Sequence, residues 1–142
     1  MLWLDDAVTS PDALLSQSFL RELQRRMFAD VWSWAGQLRQ RDTTIGVRPA
    51  HIQKQLQALL GDVAYCIEHG MDDRTETCVR FHHRLVFIHP FVNGNGRHGR
   101  LAAGSLAAVL GCDDLTWGAR RRPPSGRGSP GVLDGASRGR PR

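Results

Sequence analysis

The chain has 142 residues, enough for one domain with an appendage, and its 41% hydrophobic residues can form a core. The net charge of +5 is unevenly placed, because residues 119–142 carry 7 basic and 1 acidic side chains while residues 1–118 carry 12 and 13. The basic character therefore belongs to the last 24 residues, which contain no aromatic side chain for base stacking and do not favour nucleic acid as a partner.

The cysteines and the amino terminus predict a cytoplasmic protein. Cys66, Cys78 and Cys112 are odd in number and include no C-x-x-C pair, so we expect reduced thiols in the core. Residues 1–6 contain two acids where a signal peptide requires a basic region. No apolar run approaches the ~20 residues of a membrane span, so no membrane partner is expected.

The first helix is predicted to start near Thr9, which has capping-box spacing to Asp12. Apolar residues then recur every three or four positions as far as about Trp34, with a break near residues 16–18 and a stop at Gly36. We interpret this stripe as core.

The segment 37–48 has no helical period. Its run of Thr43, Thr44, Ile45 and Val47 predicts a short β-hairpin in polar surroundings. An open strand edge beside a catalytic site could serve as a template for an incoming chain, and a plain surface hairpin is equally compatible with the sequence.

Two further helices are predicted, one from Pro49 to a stop at Gly70, and one capped by Asp72 or Asp73 that runs to His89. The spacing of His82, His83 and His89 is not that of a zinc site, so surface or supporting histidines are expected.

The stretch from His89 to Arg100 has the composition of a phosphate site with a base beside it. Gly94 and Gly96 permit positive φ, so that backbone N–H groups can converge on an anion at the start of the next helix. Arg97 and Arg100 are three residues apart on one helical face, where two guanidinium groups can hold two phosphates. His89, just outside the turn, is the candidate general base, and His98 is expected to be exposed.

A fourth helix, from Arg97 to about Leu110, is small and apolar nearly all round, so it is predicted to be the buried central helix, capped by Gly111. After Gly118 the composition changes, since 19 of the 24 residues 119–142 are Arg, Gly, Pro or Ser. Such a segment cannot bury enough apolar surface to fold, and we predict a disordered Arg/Gly/Pro-rich tail after a domain at 9–118.

The stretch His89–Arg100 resembles the signature of the Fic (Fido) family, His-Pro-Phe-x-[Asp/Glu]-Gly-Asn-Gly-Arg-x-x-Arg, and matches eight of its nine specified positions. Residues 81–86 and 34–36 resemble the subgroup called mobile mystery protein B, a toxin–antitoxin-like group, and the likeness extends over about 18–118. The resemblance implies a mainly α-helical bundle with a short β-hairpin flap. It also implies a nucleotidyltransferase that moves AMP from ATP to a Ser, Thr or Tyr hydroxyl of a target protein, with His89 as base.

The resemblance further implies the roles of the site residues. The phosphates would be cradled by Gly94, Asn95, Gly96 and Arg97, with Arg100 on the far phosphate. Asn93 stands where most members have a carboxylate that binds Mg²⁺, so the metal is expected to be held more weakly. The flap that pairs with the target backbone corresponds to Thr43, Thr44, Ile45 and Gly46.

Alternatives remain open at this point. The chain could be a truncated, weak or inactive nucleotide- or partner-binding module, with the tail a reading-frame scar or aberrant terminus, or it could transfer another phosphate-containing group. The family's inhibitory motif, [Ser/Thr]-x-x-x-Glu-[Gly/Asn], is not met, because Leu23 follows the correctly spaced Ser18 and Glu22. We therefore expect no built-in inhibitor and a separate antitoxin-like partner instead.

Overall fold

The computed structural model describes residues 2–71, 73–112 and 115. Over these ranges the chain forms α-helices and one 3-10 turn with no β-strand, which confirms the predicted helical fold class. The helices are α1 (Leu2–Ala7), α2 (Pro11–Leu14), α3 (Gln17–Phe28), α4 (Ile52–His69), α5 (Arg74–Ile88) and α6 (Asn95–Leu110), and the 3-10 turn is Pro49–His51. The predicted disordered tail, 119–142, lies outside the described residues.

Helix α6 is the central helix, as its small apolar residues predict. It contacts α2, α3 and α5, and most of its apolar residues, including Ala102, Ala103 and Leu106, are buried. Gly99 lets α5 come close, because a Cβ atom at this position would lie 2.9 Å from Cγ2 of Val86. Two helices packed this closely hold the segment between them, residues 89–94, at both ends.

The core joins all six helices. Its fully buried large side chains are Leu14, Leu20, Leu23, Ile52, Leu56, Phe81, Leu85, Ile88 and Leu106, together with Phe91 of the loop before α6. Burying each contributes ~1.5–3 kcal/mol relative to an exposed position. Leu4 of α1 packs into the same cluster, so the core begins before residue 9. No helix within the described ranges has both the length and the apolar character that crossing a membrane requires.

The first predicted helix is divided, and it ends earlier than expected. The side chain of Ser10, rather than that of Thr9, caps α2, and Ser16 caps α3 by accepting a 3.1 Å hydrogen bond from the N–H of Phe19. A capping hydroxyl starts a new helix because it replaces an intrahelical partner. Helix α3 stops at Phe28, and turns carry the chain to Trp32 and Trp34, whose rings stack 4.6 Å apart.

The other predicted helix ends are confirmed. Helix α4 closes on Gly70, which has the left-handed φ of 59°, and the side chain of Asp73 accepts a hydrogen bond from the N–H of Glu76 to cap α5. Helix α6 begins at Asn95, two residues before the predicted Arg97, and ends at Leu110 with Gly111 as its cap.

The predicted hairpin in 37–48 is not formed. The backbone groups of this segment bond to the end of α5 and the loop after it, because the N–H of Arg39 donates to the carbonyl of Pro90 (2.9 Å) and that of Val47 to Ile88 (3.3 Å). A segment tied in this way has no free edge with which to pair to itself as a ladder. It is therefore an irregular strap laid against the start of the loop.

The three cysteines are free thiols, as predicted. Cys78 is fully buried, and burial raises the pKa of its thiol to about 12. A thiol with this pKa stays protonated at neutral pH and is a poor nucleophile. Cys78 therefore acts as a small apolar core residue.

The expectation that His98 is exposed is wrong. Its imidazole is fully buried, contacts the ring of Phe91 edge-on, and through Nε2 donates a 2.8 Å hydrogen bond to the carbonyl of Leu20 in α3. The residue lies on the inner side of α6 because a turn of 3.6 residues places position 98 opposite the exposed Arg97 and Arg100. His98 therefore joins α3 to the first turn of the central helix.

Because burial lowers the pKa of His98 from 6.5 to about 4, the folded protein should lose stability as the pH falls from 6.5 towards 4. Over this window the unfolded chain binds the proton and the folded chain does not, which costs about 3 kcal/mol. A His98→Gln variant keeps a donor for the Leu20 carbonyl and does not titrate. Urea unfolding between pH 4 and 7 should give a flatter dependence for the variant, and equal slopes would refute the assignment to His98.

Candidate active site

His89 follows α5 directly and closes it in a left-handed backbone conformation. Its φ and ψ are 56° and 61°, and its N–H donates to the carbonyl of Leu85 at 3.2 Å. This conformation costs a non-glycine residue ~1–2 kcal/mol, and His89 is the one non-glycine residue with positive φ in the described ranges. Strain of this kind persists where surrounding contacts impose it, and it concentrates at functional sites.

The loop after His89 is braced from within by Asn95. The side-chain oxygen of Asn95 accepts a 2.9 Å hydrogen bond from the N–H of Phe91, and its side-chain nitrogen donates to the Phe91 carbonyl at 2.8 Å. Asn95 and Phe91 are both buried. The side chain of Asn95 therefore shapes the loop, and the phosphate-binding role predicted for this residue is left to its backbone N–H.

The start of α6 presents backbone N–H groups without a capping side chain. Gly94 is the N-cap, with a φ of 76°, and no side chain accepts from the first-turn N–H groups. Uncapped N–H groups and the positive end of a sixteen-residue helix attract an anion. Space at Gly94 is limited, because a Cβ atom there would lie 2.7 Å from the ring of Phe28.

Arg97 and Arg100 are exposed on the first turn and a half of α6, on the side where an anion would bind. No carboxylate forms an ion pair with either residue among the ion pairs of the described ranges. The Arg100 guanidinium lies close to the loop, since its Nη1 is 3.9 Å from the position that a Cβ atom of Gly96 would occupy. Of the predicted phosphate-binding residues, the Arg100 guanidinium therefore lies near Gly96, and Arg97 is exposed on the first turn of the same helix.

Asn93 is exposed beside this helix start. Its side-chain oxygen accepts a 2.9 Å hydrogen bond from the N–H of Gly94, and its carbonyl accepts from the side chain of Gln24 at 3.3 Å. The described residues contain no group of three or more His, Cys, Asp or Glu side chains that could hold a metal on their own. The amide oxygen of Asn93 fits a metal that is carried mainly by a phosphate ligand.

Of the predicted target-docking residues, Gly46 lies directly against His89. Thr43, Thr44 and Ile45 are exposed, and Gly46 has a φ of 99°. A Cβ atom on Gly46 would lie 2.6 Å from Cβ of His89, so only a glycine lets the strap pass this close.

The surroundings of His89 favour its neutral form. Burial lowers the pKa of the imidazole, and the positive charge of Arg39 lowers it further. Nδ1 is buried and has no hydrogen-bond partner within the described ranges, which leaves Nε2 as the ring nitrogen that can meet a substrate. A neutral imidazole with one accessible nitrogen can accept a proton at pH 7.

Sequence reasoning missed two buried polar residues that hold this site. Gln24 is fully buried and joins Asn93 to the N–H of Gly36, and Arg39 is only 3% exposed. Gln24 could have been found, because it occupies an apolar position of the stripe between Leu20 and Phe28, four residues from each. Arg39 gives no such signal, because the segment around it has no period.

Comparison with protein families gives one match that bears on the site. The Fic/DOC family model matches residues 14–107, which include the loop and both arginines. Among curated proteins, the probable protein adenylyltransferase Fic of Escherichia coli (strain K12) is 30% identical over 105 residues, covering 69% of this chain and 52% of that protein. The probable protein adenylyltransferase y4lH of Sinorhizobium fredii is 32% identical over 95 residues, covering 61% and 50%. The chain thus spans about half the length of the curated relatives it matches.

Solved structures show the same fold. A Fic domain containing signaling protein from Bacteroides thetaiotaomicron superposes with a TM-score of 0.67 at 23% identity, covering 76% of this chain and 44% of that one. Fic-1 from C. elegans superposes with a TM-score of 0.69 at 25% identity, covering 80% and 35%.

The contact between Gly94 and Phe28 can be measured with a matched pair of variants. Gly94 and Gly111 have nearly equal φ values, 76° and 77°, but no described atom lies within 4 Å of a Cβ atom at Gly111. Gly111→Ala should cost only the backbone strain, ~1–2 kcal/mol, and Gly94→Ala should cost ~1–3 kcal/mol more because of the clash with the ring. Denaturant unfolding measures both, and equal losses would contradict the close contact.

Proposed function

Because this chain belongs to the Fic/DOC family, we propose that it transfers AMP from ATP to the hydroxyl group of a Ser, Thr or Tyr residue of a target protein. The observation that carries the proposal is the placement of a neutral histidine at one end of a rigid loop, with an uncapped helix start and two exposed arginines at the other. The names of the curated relatives support a protein adenylyltransferase.

In the proposed reaction His89 accepts the proton of the target hydroxyl. The hydroxyl oxygen then forms a bond to the α phosphorus of ATP, the bond from that phosphorus to the bridging oxygen of the β phosphate breaks, and pyrophosphate leaves. General base catalysis of this kind contributes ~10²–10⁴-fold in rate. The low pKa of His89 keeps the base unprotonated at neutral pH.

The phosphates are proposed to bind at the start of α6. The N–H groups of residues 95–97 and the helix dipole attract negative charge, and Arg97 and Arg100 neutralise the charge that develops on the phosphates. Asn95 contributes through its backbone, because its side chain is engaged with Phe91. Positioning and charge stabilisation account for most of the catalysis of phosphoryl transfer.

A magnesium ion would be held by the phosphates and by the side-chain oxygen of Asn93. When bound it would neutralise charge on the phosphate oxygens. The side-chain oxygen of Asn93 has a second lone pair besides the one that meets the N–H of Gly94, and a neutral amide binds Mg²⁺ more weakly than a carboxylate.

The target chain is proposed to lie along the exposed residues Thr43, Thr44, Ile45 and Gly46. Their position against His89 would bring a hydroxyl on the target to the base. A separate antitoxin-like partner is part of the proposal, because the inhibitory motif is not met at Ser18 and Glu22, which Leu23 follows. The cytoplasmic location predicted from the sequence stays a prediction.

A second candidate is a nucleotide- or partner-binding module without turnover. The amide at position 93 favours it, since the charged metal ligand is missing. Transfer of a different phosphate-containing group is a variant of the first proposal, because the loop does not select which end of the nucleotide faces His89.

Label transfer separates these functions. ATP labelled on the α or the γ phosphate is incubated with the protein and a cell lysate, and we expect transfer of the α label that falls ~10²–10⁴-fold in His89→Ala. His83→Ala, which removes an exposed histidine of α5, should transfer at the wild-type rate. Transfer from the γ label alone would indicate a kinase, and no transfer by folded protein would favour the binding module.

The metal role of Asn93 predicts that Asn93→Asp reaches half-maximal transfer at a lower Mg²⁺ concentration than the wild type, because the carboxylate adds a charge. The aspartate can still accept from the N–H of Gly94, so the loop keeps its shape. Asn93→Ala should need at least as much Mg²⁺ as the wild type. Identical Mg²⁺ titrations of wild type and Asn93→Asp would remove Asn93 from the metal site.

A further inference from the structure

We propose that Arg39 is a positioning residue that fixes the His89 backbone and the target-docking residues 43–46 as one rigid unit. The expected effect of Arg39 on catalysis rests on the proposed AMP transfer, whereas its effect on the structure does not.

Arg39 donates hydrogen bonds to carbonyl groups of the strap and of the end of α5, where both meet the loop after His89. Its guanidinium donates to the carbonyls of Arg41 (2.9 Å) and Val47 within the strap. It also donates to the carbonyls of Ile88 (3.2 Å) and His89 at the end of α5. Its own N–H donates to the carbonyl of Pro90 at 2.9 Å, so backbone and side chain bind both sides of His89.

A buried charge is tolerated here because four of its five N–H donors are bonded to carbonyls and its location is favourable. Arg39 is 3% exposed, and in the described ranges no carboxylate is within ion-pair distance of it. The carbonyls at the carboxyl end of a helix carry partial negative charge, and a cation there is stabilising. Asp42 is the charged group whose field partly offsets the loss of solvent. Only arginine offers five N–H donors in a planar group, so a lysine at this position cannot make the same set of hydrogen bonds.

The consequence for His89 follows from its strained backbone. The residue keeps a left-handed φ of 56° while its carbonyl is held by Arg39 and its Cβ is confined by Gly46. Removing the guanidinium leaves four carbonyls without this donor and releases the strap. Because the guanidinium donates to carbonyls of residues 41, 47, 88 and 89 and to none of the proposed phosphate-binding residues 94–100, nucleotide binding should persist when Arg39 is changed.

The experiment compares Arg39→Gln and Arg39→Lys with Arg41→Gln, which removes an exposed charge from the same strap. Steady-state transfer of the α label gives KM for ATP and kcat. We expect kcat to fall by ~10²-fold in both Arg39 variants, because misplacing a catalytic group by about 1 Å has this effect, with KM for ATP within about twofold of the wild type. Arg41→Gln should keep the wild-type kcat.

NMR titration of the His89 imidazole gives a readout that does not depend on activity. The His89 pKa should rise in Arg39→Gln, which loses the positive charge, and stay low in Arg39→Lys and Arg41→Gln. Low kcat with an unchanged pKa in Arg39→Lys would separate positioning from charge. A wild-type kcat in Arg39→Lys would overturn the proposal.

The wild-type protein provides a further measurement that needs no variant. A guanidinium bound to four carbonyls should give distinct, slowly exchanging N–H signals for Arg39, unlike the averaged signals of the exposed Arg41. Averaged, fast-exchanging Arg39 signals would overturn the proposal even if the variants fail to fold. If no AMP transfer occurs but the Arg39 signals are slow and the His89 pKa shifts as expected, the proposed function fails and the anchoring stands.

Discussion

The structure of this site depends on the hydrogen bonds of four buried polar side chains. Gln24, Arg39, Asn95 and His98 are buried, and each has a partner whose position is fixed. Three of them bond to the backbone between Ile88 and Asn93, and His98 joins α3 to the first turn of α6. Leaving such a group unpaired costs ~1–3 kcal/mol, so the loop cannot move without breaking several of these bonds together.

The packing of α5 on α6 gives the loop its other support. Gly99 and the alanines at 102 and 103 allow the two helices to lie close, and the loop spans the gap between their ends. A site mounted on the end of a buried helix keeps its geometry better than a site on a surface loop. The exposed residues at this end, Asn93, Arg97 and Arg100, are then free to meet a ligand while the backbone beneath them stays fixed.

The helices with a strong apolar periodicity or with clear capping residues could be predicted from the sequence. The spacing of Arg97 and Arg100 also predicted that both lie on one face of α6. The sequence predicted Gly70, Asp73 and Gly111 as helix ends because local hydrogen bonding determines such ends. It failed where distant contacts decide. In the β-capable run 43–47, the N–H of Val47 bonds to Ile88 of α5 and no ladder forms in the described ranges. His98 turns inward to meet Leu20, and Arg39 and Gln24 take their roles from partners up to 69 positions away.

The hydrogen bond from the Gly94 N–H to the side chain of Asn93 has a consequence for ligand affinity. A phosphate oxygen that accepts a hydrogen bond from this N–H displaces the amide oxygen of Asn93. The Gly94 N–H therefore makes one hydrogen bond both before and after the exchange. The net gain in free energy at this position is therefore the difference between a charged and a neutral acceptor. Under the proposed function, the Asn93 amide oxygen occupies the place of a phosphate oxygen at the Gly94 N–H, so the backbone there would already have its binding conformation and would lose less entropy on binding.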